Sequence, residues 1–64
     1  MDLIQTLHLV REGEPAFVAD RDWIVYLEGL RLAPHGDPPL PAGPLLDHDQ
    51  LLVLIFAAGR VVTW

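Results

Sequence analysis

The sequence predicts a small all-β fold, a four- to five-stranded antiparallel meander or partly open barrel with a long proline-rich loop. Three observations carry this reading: short runs rich in β-branched and aromatic residues, turn-forming residues between them, and one proline-dense stretch that cannot build a ladder. An α+β arrangement with a short helix near residues 47–58 is the alternative. All 64 residues read as one small domain.

Residues 3–10, Leu-Ile-Gln-Thr-Leu-His-Leu-Val, alternate so that Leu3, Gln5, Leu7 and Leu9 share one face and Ile4, Thr6, His8 and Val10 the other. This is the pattern of a half-buried strand. A helical reading competes, since Asp2 and Gln5 have capping-box spacing; the β-branched residues and the abrupt Arg-Glu-Gly-Glu-Pro stop favour the strand. Arg11 to Pro15 then reads as a hairpin connection, with Gly13 free to take positive φ. A short strand over 16–19 and a polar turn at Asp20-Arg21-Asp22 follow.

Trp23-Ile-Val-Tyr-Leu27 is the strongest β signal in the chain. Trp23, Val25 and Leu27 point one way and Ile24 and Tyr26 the other, so both faces should be covered. Leu30 and Leu32 resume the alternation after Glu28-Gly29, which predicts one strand over 23–32 with a bulge or bend at the glycine. Composition changes at Ala33. Five of the six prolines lie between Pro34 and Pro44, and residues 33–49 read as a loop spanning the fold. Residues 50–57, Gln-Leu-Leu-Val-Leu-Ile-Phe-Ala, are apolar on both faces. Their β-branched and aromatic members predict a central strand, whereas Asp47 as a cap and Gly59 as a stop suit a helix. Residues 60–64, Arg-Val-Val-Thr-Trp, complete the sheet behind an Ala58-Gly59 turn in hairpin fashion.

Nine acidic residues against four arginines give a net charge of −5, and 52% of the chain is hydrophobic. There is no cysteine, serine, asparagine or lysine. Thiolate chemistry, cysteine-based metal centres, disulfide scaffolds and serine nucleophiles are therefore excluded. The N-terminus carries an acid where a signal peptide needs positive charge, and the longest apolar run, Leu51 to Ala58, is far short of a membrane span. A soluble, cytoplasmic protein is expected. So short a chain buries a small core, and small domains without cross-links commonly gain burial by association.

Candidate sites are few. The alternative to association is a small-molecule or metal-binding protein with a site near His35, Asp47, His48 and Asp49. These are weak metal candidates whose ligand types suit zinc or manganese, although their spacing matches no metal motif and a polar turn explains it as well. His8, His35 and His48 are side chains of the acid–base type and carboxylates are available, but no spacing joins two of them at a reacting centre. No catalytic residue and no cofactor are expected. Nucleic-acid binding is disfavoured, because four scattered arginines among nine acids make no phosphate groove for the aromatics to line. Nor does the chain carry a glycine-rich phosphate loop, a nucleophile elbow, zinc-finger spacing or a helix-turn-helix pattern. The expectation is a non-catalytic protein that works by protein association, most simply as a homo-oligomer or a small subunit of a larger assembly. Its interface candidates are Leu40, Leu45 and Leu46 of the proline-rich crossover, together with Trp23 and Trp64.

Overall fold

The computed structural model describes residues 4–44 and 47–64. The leucine- and β-branched opening segment forms strand β1 (Thr6–Val10), as its alternation predicts, and the aromatic segment forms β2 (Trp23–Tyr26). Strands β3 (Arg31–Leu32) and β4 (Gly43–Pro44), helix α1 (His48–Ala57) and strand β5 (Arg60–Thr63) follow. All five strands belong to one open sheet in the order β4-β3-β2-β1-β5. The expected strand count holds, but the sheet neither closes into a barrel nor runs as an antiparallel meander.

Its centre is parallel. β1 pairs in parallel with β2, Leu7 opposite Trp23 and Leu9 opposite Val25, and also with β5, Leu7 opposite Val61 and Leu9 opposite Thr63. Residues 11–22 are therefore a crossover and not a hairpin connection. Glycine and proline mark where a chain leaves a strand, but not the direction in which it returns; about a dozen residues suffice for a crossover. Residues 16–19 form no strand, because the crossover passes over one face of the sheet and the Ala19 amide is taken by the Asp22 carboxylate.

The expected strand over 23–32 is two strands. Gly29 and Leu30 both take positive φ, at 78° and 49°, and the Leu30 amide bonds to the Leu27 carbonyl, so the chain reverses where a bulge was expected. β3 then returns antiparallel to β2, with Val25 opposite Leu32. Within the loop read over 33–49, Gly43 and Pro44 pair with β3 to form the outer strand β4, a position where proline costs no ladder bond. Leu45 and Leu46, and Leu3 at the start of the first expected strand, lie outside the described residues.

Residues 50–57 are helical, so the α+β alternative holds for this segment. Asp47 caps the helix by accepting a hydrogen bond from the Gln50 amide at 3.2 Å. A local cap and unbroken apolarity outweigh the β preference of Val53, Ile55 and Phe56. Because 50–57 is no strand, β5 has no hairpin partner before it and pairs instead with β1 on the far side of the sequence. α1 runs between the two outermost strands and lays Leu54, fully buried, on Leu7, Trp23, Val25, Leu32 and Ala58. Leu9, Leu27, Leu30, Leu40, Leu51 and Ile55 pack around this core.

Candidate functional site

The face of the sheet opposite α1 carries His8 of β1, which is only 3% exposed. Strand alternation turns His8 away from the Leu7 and Leu9 face, and the register sets it between Ile24 and Val62. Its Nε2 lies 2.8 Å from Asp22 Oδ2, just before β2, and its Nδ1 lies 2.8 Å from Trp64 Nε1, just after β5. An indole nitrogen can only donate, so Nδ1 is the acceptor and Nε2 carries the hydrogen given to Asp22. The contacts thus define a neutral imidazole in one tautomer. The Trp64 ring stacks on the imidazole with centroids 5.9 Å apart, and Phe17 of the crossover meets it edge-on.

Asp22 Oδ2 also accepts from the Ala19 amide at 3.0 Å, which fixes the turn leading into β2. Burial pushes the Asp22 carboxyl up, but hydrogen bonds from His8 and the Ala19 amide, with the positive charge of Arg21, hold the group below its ordinary value. Beyond Asp22, the His35 Nδ1–H donates to the Asp22 carbonyl at 2.6 Å and the Trp23 indole donates to the Gly36 carbonyl at 3.1 Å. These two bonds pin the start of the proline-rich loop under the Arg21–Trp23 segment. Gly36 has φ 75°, and a Cβ there would fall on the Asp22 and Arg21 carbonyls.

Chemically this cluster holds structure together. Both nitrogens of His8 are committed to protein partners, and the chain has no serine or cysteine for it to activate. An open hollow of about 660 Å³ lies over the proline-rich loop beside His35, Asp37, Pro38 and Leu40. It is too open to exclude water from a reaction.

The metal candidates are placed apart in role. His35 is bonded to the Asp22 backbone, Asp47 caps α1, and His48 and Asp49 are exposed in the first turn of that helix. Among the described residues no three histidine or acidic side chains could share a metal ion. Of the interface candidates, Trp23 is buried in the core and Leu40 packs against it, while Trp64 is half-buried on His8. Leu45 and Leu46 lie outside the described residues.

A different surface is left uncovered. α1 is apolar on both sides: Leu51, Leu54, Ile55 and Ala58 face the sheet, while Leu52, Val53 and Phe56 face outward, with Phe56 82% exposed. Ile4 and Val61 are exposed as well. From Gln50 to Trp64 there is no acidic residue; Asp49, in the first turn of α1, is the last of the nine acids. Sequence reasoning placed 50–57 as a strand covered on both faces and so missed its outward stripe. The signal was present in Leu52, Val53 and Phe56, which share one face at helical spacing. Among the described residues no helix is long and apolar enough to cross a membrane.

The chain matches no known protein-family model, no curated protein and no solved structure.

Proposed function

We propose that this protein is a non-catalytic association module whose copies assemble through the unit formed by α1 and β5. One observation carries the reading: α1 is a helix without a polar side. Helices that are apolar all round belong in interiors, and here only half of the helix is covered. Full burial of a Leu, Val or Phe side chain is worth about 1.5–3 kcal/mol, so the exposed stripe is a substantial driving force for association. Charge supports the same surface. In a chain of net charge −5, residues 50–64 bring two copies together without opposing carboxylates.

A second copy suits the surface better than a nucleic acid does. Arg60 is the one positive charge of residues 50–64, and the arginines elsewhere are dispersed, Arg11 and Arg21 at opposite ends of the crossover and Arg31 on β3. The absence of cysteine fits a cytoplasmic setting, where a thiol-free chain needs no oxidising compartment. Sedimentation velocity across the micromolar range tests the proposal. A concentration-dependent dimer or larger species is expected; a compact monomer throughout that range overturns it.

A further inference from the structure

The two edges of the sheet are built differently. At one end β4 is two residues long and contains Pro44, with Pro41, Pro39 and Pro38 just before it, so little of that edge can accept another strand. At the other end β5 has four residues, Arg60-Val-Val-Thr63, with no proline, no acidic residue and no lysine. None of the usual devices that blunt an exposed edge is present there except the single charge of Arg60.

The ladder fixes which groups of β5 are free. The Arg60 amide bonds to the Gln5 carbonyl and the Trp64 amide to the Leu9 carbonyl, so residues 60, 62 and 64 turn their backbone groups toward β1. Alternation then turns the amide and carbonyl of Val61 and Thr63 outward, where the sheet has no further strand among the described residues. Gly59 is not part of this free edge, because its amide also bonds to Gln5.

We infer that β5 pairs antiparallel with β5 of a second copy about a two-fold axis at Val62, joining two five-stranded sheets into one. This rests on the self-association proposed above and names its geometry. Centring on Val62 sets Val61 opposite Thr63 of the second copy, and the reverse, so that all four outward groups of each strand are satisfied. Centring on Val61 instead would pair Thr63 with Gly59, whose amide is already used. The chosen register also places Arg60 opposite Trp64 of the second copy, which keeps the two arginines apart and sets each cation against an aromatic residue. The exposed Val61 gains a cross-strand neighbour on the α1 side. Since the axis stands perpendicular to the sheet, both α1 helices fall on the same face and their Leu52, Val53 and Phe56 stripes form one broader apolar surface.

The natural lack of cysteine makes a clean test possible. In the proposed register Val62 faces its own symmetry mate at a non-hydrogen-bonded position, where Cα atoms lie about 4.5 Å apart, within the range a disulfide spans. Val62→Cys is expected to form a covalent dimer under mild oxidation, much faster than Phe56→Cys. A second variant, Thr63→Pro, removes an outward amide while leaving the bonds to β1 intact. It is expected to sediment as a monomer with an unchanged circular dichroism spectrum. If the wild-type protein associates but Phe56→Cys cross-links in place of Val62→Cys, or a folded Thr63→Pro still associates, edge pairing is wrong while self-association stands. A wild-type monomer removes both.

Discussion

The two faces of the sheet are covered by different physics. On one, α1 excludes water with a dry cluster of Leu7, Val25, Leu32 and Leu54, in which no single contact is directional. On the other, the crossover and the end of β5 are tied by aimed hydrogen bonds, Asp22 to His8 to Trp64, while His35 of the proline-rich loop donates to the Asp22 carbonyl. The first face tolerates volume-conserving change and suffers from cavities; the second tolerates little change of donor or acceptor. A chain this short uses burial on one side and pairing on the other, because one helix covers only one face.

The largest effect is expected from emptying the dry face. Leu54→Ala should destabilise the fold by about 2–5 kcal/mol, read from urea denaturation, whereas Leu54→Met should cost less than about 1.5 kcal/mol. If the two variants lose the same amount, the face is not held by close packing.

Next comes the loop anchored beneath Asp22. Gly36→Ala adds a methyl group where the backbone has φ 75° and the neighbouring carbonyls leave no room, which should cost about 1–3 kcal/mol. Gly13 also has positive φ, but open space surrounds it. Gly13→Ala should therefore cost clearly less than Gly36→Ala, and equal losses would show that close approach adds nothing to the backbone term.

The polar face is probed at its centre. Asp22→Ala strands the buried Nε2–H of His8 and should cost about 1–3 kcal/mol; Asp22→Asn keeps an acceptor and should cost less. The pH dependence follows from the same carboxylate. Its folded value is depressed, so its contribution is present above the ordinary carboxylate range and is lost as pH falls through the folded value. Acid titration of thermal stability should show a steeper decline for the wild type than for Asp22→Asn. Parallel curves would mean that Asp22 contributes no proton-linked stability.

The smallest effect on folding belongs to the outward side of α1. Phe56→Glu should change monomer stability by no more than about 0.5 kcal/mol while removing from the sedimentation profile only species larger than the edge-paired dimer. A large loss of stability in the monomer would show that Phe56 packs against its own chain.

The dry face was largely legible in the sequence, because it is written in local periodicity: Leu7 and Leu9 on one side of β1, Trp23 and Val25 on one side of β2. Strand direction was not. Nothing within residues 11–22 distinguishes a hairpin from a crossover, and β5 chooses its neighbour by long-range packing. The helix at 48–57 was only half legible, since Asp47 announced a cap while Val53, Ile55 and Phe56 argued for a strand. The polar cluster was out of reach for another reason. His8, Asp22, His35 and Trp64 occur singly and far apart, and only the parallel arrangement of β1, β2 and β5 brings three of them together on one face of the sheet.

That arrangement also orders events in time. β1 is the central strand for both parallel neighbours, yet β5 reaches it only when the last residues return to the first, and the His8–Trp64 hydrogen bond closes a span of 56 positions. Loops of this length close slowly, and sheets dominated by such pairings fold more slowly than helical chains of equal size. The β1–β2 pairing spans far fewer positions than the β1–β5 pairing, so loop closure favours the first over the second. How quickly β5 arrives decides how long the chain exposes its own centre to a passing strand.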